Sequence, residues 1–331
     1  MAKNDVVVKL SQNKVAGSEG FGVPLVVLGM QEAAKAYVEC SGVDEVIDAG
    51  YSADSAVYKQ CEKLFMQNNP PARVGVCTGT GKISETLRLL SGQDIRQVIP
   101  VFGEEGDDTP KELASYIETT EDKMLFLRFS DVAQLEAVGP LNRTVGIVYA
   151  GEDEGVEGAV AGATAGLTIG SFTYKNILIK GITPDALTDG QISAIHKKYG
   201  IAIVKKAGDI VTSEGTVLSG EYADVIDSQD YIIHNIAYQS QKLLNTSPKL
   251  SFDNVGISQL EGVVTNVLSE AFSMGIIAQT EDKTPDYETM FATREECSAG
   301  DRAKRTYNGG RFRFSLAGAI HYATINGVIE V

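Results

Sequence analysis

Five short apolar runs rich in β-forming residues, separated by helical segments, constrain the fold of this chain most strongly. Strands that alternate with helices along a chain are typical of an α/β fold with a largely parallel sheet. The sequence therefore predicts an α/β domain in its first half. The predicted strands are 23–28, 73–77, 97–102, 124–129 and 144–149, and the predicted helices are 55–67, 84–90, 111–119 and 132–137.

The second half of the chain is less regular. A segment of small residues predicts a helix packed closely on its neighbours, and two long segments with apolar residues at helical spacing predict helices separated by Pro248. Near the N-terminus, a short strand is cut off from the next one by a Gly- and Ser-containing stretch. The predicted elements outside the alternating region are a strand at 5–10, the close-packed helix at 156–167, a strand at 177–182, a helix at 189–199, a strand at 201–206, a hairpin or bent strand at 210–219, helices at 221–244 and 257–276, and β structure at 312–331.

Composition argues against several classes of function. The chain has 331 residues with 43% hydrophobic content, enough to bury one large core or two modest ones. Its net charge of −15 disfavours nucleic-acid binding, which needs a basic face. No apolar run is long enough for a membrane span. The N-terminus is too polar for a signal peptide, so we expect synthesis in a cytoplasm.

The cysteines predict neither a zinc site nor a disulfide framework. They are widely spaced and include no C-x-x-C pair. We interpret them as reduced, mostly buried thiols: Cys40, Cys61, Cys77 and Cys297.

A glycine-rich stretch from Gly75 to Ser84 lies where a phosphate-binding loop would lie, between a strand and a helix. Val76 stands where the P-loop requires a glycine, and Ile83 stands where it requires a hydroxyl. Ser84 replaces the last glycine of the dinucleotide fingerprint. We interpret the stretch as a tight turn, and we keep as the alternative function an α/β enzyme that binds a nucleotide or another small molecule there.

No catalytic grouping can be identified from spacing. His196, His234 and His321 are far apart in the sequence, and the carboxylates form no acid–base pattern. We interpret each histidine as a polar packing residue. The sequence therefore predicts no catalytic residue, no cofactor and no metal site.

Two clusters of charge stand out, one acidic and one basic. The simpler interpretation is that both are solvated surface. The alternative hypothesis is that they meet between neighbouring copies and guide their register. The residues predicted for such contacts are Glu104, Glu105, Asp107 and Asp108 on the acidic side and Arg302, Lys304, Arg305, Arg311 and Arg313 on the basic side.

Several ordered blocks of residues stand out between Asn142 and the C-terminus. The blocks are Arg143-Thr-Val-Gly-Ile-Val, Gly170-Ser-Phe-Thr-Tyr-Lys, Thr212-Ser-Glu-Gly, Ser219-Gly-Glu-Tyr-Ala-Asp-Val-Ile, Asp301-Arg-Ala and Leu316-Ala-Gly-Ala-Ile-His. Together they resemble the tail sheath proteins of contractile-tailed bacteriophages, R-type bacteriocins and related contractile injection systems, and the resemblance covers a little over half of the chain. The family often has Arg and Trp where this chain has Asp227 and Tyr231.

The resemblance implies a subtilisin-like but non-catalytic α/β domain beside a C-terminal α+β domain, with extended strands at both ends of the chain. The implied division is an N-terminal arm at 1–21, the α/β domain at 22–182, the α+β domain at 183–311 and a C-terminal arm at 312–331.

In this family the two arms complete a small sheet in an adjacent subunit. The residues agree, because isolated terminal strands invite aggregation unless another strand covers them, and pairing with a neighbour's sheet satisfies their backbone groups. Such a contact is head-to-tail and propagates into rings or helices. The residues predicted to exchange are Val6, Val7, Val8, Leu10, Leu316, Ala319, Ile320, Tyr322, Ile325 and Val328.

The resemblance further implies a structural protein and not an enzyme. Subunits would form a helical homopolymer of stacked rings around an inner tail tube, would contact baseplate and tail terminator proteins, and would contract to drive the tube through a cell envelope. No nucleic-acid or membrane contact by the subunit is expected. The expected location is a virion tail or an extracellular contractile particle that is assembled in the bacterial cytoplasm.

Overall fold

The structure is a computed structural model, and it describes residues 8–9, 13–14, 22–103 and 106–323. The strands in these ranges are β1 (Val8–Lys9), β2 (Asn13–Lys14), β3 (Val23–Leu28), β4 (Lys35–Cys40), β5 (Val74–Thr78), β6 (Ile95–Val101), β7 (Met124–Phe129), β8 (Thr144–Val148), β9 (Ile201–Lys206), β10 (Asp209–Thr212), β11 (Tyr287–Phe291) and β12 (Gly310–Phe314). The helices are α1 (Val43–Asp48), α2 (Ala56–Phe65), α3 (Ile83–Leu89), α4 (Pro110–Thr120), α5 (Val132–Val138), α6 (Val156–Ala165), α7 (Asp189–His196), α8 (Ala223–Thr246), α9 (Asn254–Ser273) and α10 (Ala299–Lys304).

A large mixed sheet carries the first part of the fold. Its eight strands lie in the order β10-β9-β8-β7-β6-β3-β5-β4. The six inner strands run parallel, whereas β4 and β10 at the two edges run antiparallel to their neighbours. The prediction of a largely parallel α/β sheet is therefore confirmed.

Helices cover both faces of this sheet and enclose two apolar cores. The first core lies under α1, α2 and α6, and the second lies under α3, α4, α5 and α7. Successive residues of β3 serve them in turn, since Val26 belongs to the first core and Leu25 and Val27 belong to the second. A strand that is buried on both faces is apolar at nearly every position, which is why most of these strands were readable as apolar runs.

The close packing predicted for the small-residue segment is confirmed in α6. A Cβ atom at Gly158 would lie 2.3 Å from the carbonyl oxygen of Gln60, and one at Gly162 would lie 2.4 Å from that of Leu64. Both distances are far below a van der Waals contact. Only glycine at these positions allows α6 to lie directly against the backbone of α2.

A third core belongs to a C-terminal unit built from α8, α9, β11 and β12. The long helix α8 connects the two parts of the molecule. Its first turn contributes Ala223 and Ile226 to the core of the sheet, and its middle contributes Ile232, Ile233 and Ile236 to the third core.

The structure differs from the predicted division at residue 182. Beyond that residue β9 still pairs with β8, through Ile147 and Ile201, and β10 pairs with β9. The large sheet therefore ends at Thr212. The strand predicted at 177–182 is reduced to one bridge, between Leu178 and Val211.

The predicted C-terminal β structure is shorter than expected in the described part of the chain. It is the five-residue strand β12, followed by residues 315–323 outside any named strand. Residues 324–331 of the prediction lie outside the described residues. No helix within the described ranges is long and apolar enough to cross a membrane.

Candidate functional site at the C-terminal strands

β11 and β12 form a separate antiparallel pair in which Tyr287 lies opposite Phe314 and Phe291 lies opposite Gly310. One face is aromatic and packs on the third core. The other face is exposed and carries Met290, Arg311 and the cross-strand ion pair between Arg313 Nε and Glu288 Oε2, at 2.8 Å. The pair is thus a half-buried ribbon with a mainly aromatic inner face and a mainly charged outer face.

The outer edges of this ribbon are open in the described structure. Within residues 22–103 and 106–323, no third strand pairs with β11 or β12. Open edges present unpaired N–H and C=O groups that a further strand satisfies. A two-stranded sheet is also marginally stable without additional strands or packing. The ribbon can therefore accept a strand from outside.

After β12 the chain stays attached to its own fold for a few residues. Leu316 forms an antiparallel bridge with Ile277, and the amide of Ala317 donates to the carbonyl of Ile276 at 2.9 Å. Ile320 then stands 90% exposed. The segment from Gly318 onwards leaves the ribbon and crosses towards the α/β sheet.

A cluster of polar side chains holds this segment against the sheet. Lys175 Nζ donates to Glu214 Oε2 at 2.9 Å, and both side chains are more than nine-tenths buried. The Tyr322 hydroxyl donates to the same oxygen at 2.7 Å, and its ring lies over Lys175 Nζ at 3.5 Å, a cation–π distance. We call this cluster the C-terminal anchor; its members are Thr173, Lys175, Glu214, Tyr222, His321 and Tyr322.

His321 is the second point of attachment in the anchor. Its Nε2 lies 2.8 Å from the Thr173 hydroxyl, and its Nδ1 lies 3.7 Å from Glu214 Oε1. The edge of its ring meets the face of Tyr222, with 4.6 Å between ring centroids. The predicted packing role of this histidine is therefore supplemented by a hydrogen bond with Thr173, whereas the distance to Glu214 is too long for one.

The charges of the anchor are stabilised by each other. Burial alone would raise the pKa of Glu214, but hydrogen bonds from Lys175 and Tyr322 outweigh burial and hold that pKa below its usual range. Burial alone would lower the pKa of Lys175, and its contacts with Tyr322 and Glu214 reverse that effect. Both groups are thus charged at neutral pH.

A second buried charge network fastens α8 to the large sheet. Arg143 from the start of β8 forms two hydrogen bonds with the Asp230 carboxylate, at 2.6 and 3.0 Å. Arg96 on β6 donates to Asp230 at 2.6 Å and also pairs with Asp227. The Tyr174 hydroxyl donates to Asp227 at 2.7 Å. Asp227 is 3% exposed, so it serves the interior and not an outer contact surface.

The glycine-rich loop does not offer an anion site in this structure. The amide of Ile83 donates to Asp107 Oδ1 at 3.1 Å, and the amide of Ser84 donates to Asp108 Oδ2 at 2.7 Å. These amides open α3, where a phosphate would bind in a nucleotide-binding loop. Two carboxylates of the chain itself occupy that place, so a phosphate would meet negative charge instead of free amides.

The remaining histidines and the cysteines have ordinary packing environments. His196 Nε2 lies 2.8 Å from the Ser213 hydroxyl, and burial lowers its pKa. His234 stacks against Tyr238. Burial raises the pKa of Cys77 to about 12, which keeps that thiol protonated and unreactive. Cys40, Cys61 and Cys77 are buried and all four cysteines are free, as predicted.

The residues predicted for strand exchange fall into three groups. Val8 pairs with Lys14 of its own chain, and Leu316 bridges within its own chain. Ala319 and Ile320 are exposed, whereas Tyr322 is tied to Glu214 through its hydroxyl. Val6, Val7, Leu10, Ile325 and Val328 lie outside the described residues.

The residues predicted for charge contacts also fall into three groups: engaged within the chain, exposed, and outside the described residues. Asp107 and Asp108 bind α3, and Arg302 donates to the carbonyls of Arg294 and Cys297. These three side chains are engaged within the chain, as is Arg313 with Glu288. Lys304, Arg305 and Arg311 are exposed, and Glu104 and Glu105 lie outside the described residues.

Sequence reasoning missed the two networks that matter most here. Arg96 and Asp227 are 131 positions apart in the chain, and Lys175 and Glu214 are 39 apart. The available signal was indirect: Lys175, Glu214, Tyr222 and His321 each belong to a different block of the family resemblance.

Comparison with solved structures places the fold among contractile sheath proteins. The chain is similar to the sheath complex, in the contracted state, of the extracellular contractile injection system PVC, with a TM-score of 0.76, 10% identity and coverage of 96% of this chain and 94% of that chain. It is also similar to the helical sheath of the anti-feeding prophage in its contracted state, with a TM-score of 0.69, 12% identity and coverage of 100% and 99%.

A crystal structure of a sheath tail protein from Listeria innocua is similar as well, with a TM-score of 0.59, 10% identity and coverage of 91% of this chain and 96% of that chain. No protein-family model and no curated protein matches the sequence. The likeness spans the α/β sheet and the C-terminal unit together. The chain therefore has the fold of the contractile sheath proteins over its whole length, which agrees with the resemblance seen in its sequence blocks.

Proposed function

We propose that this chain is the structural subunit of a contractile sheath that polymerises helically around an inner tube and shortens to drive the tube through a target envelope. The observation that carries the proposal is the likeness of nearly the entire chain to chains of a contracted sheath complex and a helical sheath. Proteins of one fold can serve many functions. Here, however, the full-length fold and the ordered sequence blocks independently point to the same family.

The ribbon of β11 and β12 is the proposed acceptor of strands from other subunits. Its open edges supply backbone groups, and its alternation of aromatic and polar residues suits strand addition, in which main-chain hydrogen bonds provide affinity and side chains provide register. Donor strands would come from the two ends of neighbouring chains. A link of this type is heterologous and builds rings or filaments without a limit on copy number.

Contraction then follows as a change of packing between connected rigid bodies. The two apolar cores of the sheet and the charge network that holds α8 make each subunit stiff, while shared strands act as hinges between subunits. The shorter and wider array would bury more interface than the extended one. The energy for work would come from that difference, so no nucleotide is required.

The proposed partners are further copies of this chain, an inner tube protein, and baseplate and terminator proteins at the two ends of the sheath. The proposed location is a phage tail, a bacteriocin or another extracellular contractile particle. The proposal includes two features of the α/β part. It is subtilisin-like in fold without catalysis, and it is a domain separate from the C-terminal unit.

The alternative of a nucleotide-dependent α/β enzyme is not favoured. Asp107 and Asp108 fill the position that a phosphate would take at the glycine-rich loop. A sheath subunit also needs no catalytic group. We therefore expect no heat of binding when ATP or NAD is titrated into the purified chain at millimolar concentration.

Electron microscopy of the purified protein tests the proposal. We expect concentrated full-length protein to form hollow tubes in negative stain, and variants that lack residues 1–10 or 318–331 to remain soluble without tubes. Tubes formed by both truncated variants would reject strand exchange as the link between subunits. A full-length chain that stays monomeric at high concentration, with or without an added tube protein, would reject the function.

The basic cluster is a further proposed contact between copies, limited to its exposed members Lys304, Arg305 and Arg311. Lys304 and Arg305 carry no described ion pair and are exposed. We expect the double substitution Lys304→Glu and Arg305→Glu to reduce tube formation at low salt and to leave the monomer folded. Unchanged tubes in this variant would assign the cluster to solvated surface.

A further inference from the structure

Four of the sequence blocks that carry the family resemblance converge on one place in the fold. Thr173 and Lys175 belong to the block that begins at Gly170, Glu214 to the one at Thr212, Tyr222 to the one at Ser219 and His321 to the one at Leu316. In the structure these residues form the C-terminal anchor. Four separate stretches thus supply side chains to a single cluster, and the object that the cluster holds is the end of the described chain.

Burying the charges of the anchor costs desolvation free energy, and this cost is understandable if the position of that chain end matters. A buried ion pair gains little net stability, because desolvation offsets most of the attraction between its members. The Lys175–Glu214 pair is nevertheless buried, and Glu214 also accepts hydrogen bonds from the Tyr322 hydroxyl and the Gly215 amide. His321 lies beside the pair, with its Nε2 2.8 Å from the Thr173 hydroxyl. These side chains therefore form a socket that holds His321 and Tyr322.

The socket holds His321 and Tyr322 immediately beyond an exposed stretch. Ile320 is 90% exposed and lies between Leu316, which is bridged to Ile277, and the socket. The segment is therefore fixed at two points, at the ribbon and at the sheet. The last described residues are therefore held in place against the sheet.

We propose that the C-terminal anchor sets the exit direction of the residues after 323 and so delivers them to a second copy of this chain, with Tyr322 as the principal positioning residue. This inference rests on the proposed function, because it assumes that polymerisation uses the C-terminal arm. It goes beyond that function by naming the group that determines where the arm points. An arm whose first residues are already held in place loses less conformational entropy on binding than an arm that is free from its first residue.

Tyr322 provides a clean test because its removal does not open the core. The residue is 73% exposed, and only its hydroxyl and one ring face are engaged. Tyr322→Ala removes both contacts, whereas Tyr322→Phe keeps the ring over Lys175 and loses the hydrogen bond to Glu214. Leu89→Ala, at an 86% exposed position on α3, is the matched control for loss of an exposed apolar side chain.

Two measurements on the full-length chain decide the matter. The first is amide hydrogen exchange of a peptide covering residues 315–323 in the monomer, and the second is the critical concentration for polymerisation. We expect Tyr322→Ala to accelerate exchange and to raise the critical concentration, each by about tenfold. We expect Tyr322→Phe to lie between the wild type and Tyr322→Ala, and the Leu89→Ala control to match the wild type in both measurements.

The outcomes separate this inference from the function on which it rests. If the wild type polymerises and Tyr322→Ala polymerises at the same critical concentration, the anchor does not direct the arm and the inference is overturned. If the wild type never polymerises, the proposed function fails, and delivery to a second copy fails with it even where Tyr322→Ala accelerates exchange.

Discussion

The two sheets of this molecule differ in how completely the rest of the chain covers their faces and pairs with their edges. Every residue of β5 and β8 in the large sheet is buried, whereas no residue of β11 or β12 in the small ribbon reaches full burial. The large sheet has helices on both faces. The ribbon has packing on one face, solvent on the other, and open edges within the described residues. The comparison indicates that the large sheet is buried by its own chain. The ribbon is the part that would gain most burial and most backbone hydrogen bonds from another chain.

Charged residues show the same contrast. At the junction of α8 with the large sheet, Arg96, Arg143, Asp227 and Asp230 are buried and mutually paired. On the ribbon, the pair formed by Arg313 and Glu288 is exposed to solvent. Removing one partner of an ion pair has a different effect on stability in the two places. In the buried network the remaining charge loses its partner without access to water, whereas on the ribbon water solvates the remaining charge.

The largest expected effect comes from breaking the buried network. Asp230→Ala removes the carboxylate to which the described hydrogen bonds of the Arg143 side chain are made. We expect the free energy of unfolding in urea to fall by about 3–5 kcal/mol, the range for breaking a buried ion pair.

The matched control for that variant lies on the ribbon. Glu288→Ala breaks the exposed pair with Arg313, and we expect no measurable change in the urea midpoint. Equal losses of stability in the two variants would contradict the contrast between the regions.

A smaller effect is expected when a single methyl group is added to one helix of each region, by a Gly→Ala substitution. A Cβ atom at Gly162 in α6 would collide with the carbonyl of Leu64, whereas one at Gly262 in α9 would meet no atom within 4 Å. We expect Gly162→Ala to destabilise the fold by about 1–3 kcal/mol through overpacking. Gly262→Ala should stabilise it by about 0.5–1 kcal/mol because alanine is the better helix former.

Thermal unfolding of both variants measures this pair of effects. Opposite shifts of melting temperature are the expected result. A stable Gly162→Ala variant would mean that α6 does not lie against the backbone of α2.

The smallest expected effect is the pH dependence of the anchor that joins the two regions. The pKa of Glu214 is held below its usual range, so the stability that its charge contributes is complete above about pH 4.3, the ordinary value for glutamate, and is lost as the pH falls through the lower folded-state value. The melting-temperature difference between the wild type and Glu214→Gln should therefore be largest at neutral pH and should shrink below that point. A difference that is constant from pH 7 to pH 3 would show that the charge of Glu214 does not contribute.

The elements that were predictable from sequence are those that are buried on both sides. β3 and β7 were identified with their correct bounds because a doubly covered strand is nearly all apolar, with Arg128 the one charged residue in the two strands. β4 was missed because its sequence, Lys-Ala-Tyr-Val-Glu-Cys, buries only Cys40 at the edge of the sheet. β11 was missed for a related reason, since a half-buried strand of five residues gives a weak alternation.

The anchor and the charge network were beyond prediction for a different reason. Periodicity reports on neighbours in the sequence, whereas Tyr322 and Glu214 are 108 positions apart and Arg143 and Asp230 are 87 apart. Only the family resemblance drew attention to Lys175 and Glu214, and it placed His321 in the same family pattern. It did so without indicating that they touch.

Amide hydrogen exchange of the assembled protein, compared with that of the monomer, tests the central claim most directly. We expect peptides covering β11 and β12 to gain strong protection when tubes form, because strands from other copies would pair with the open edges, while the already slow exchange of β6 and β7 stays unchanged. Tubes in which β11 and β12 exchange as fast as they do in the monomer would contradict the account.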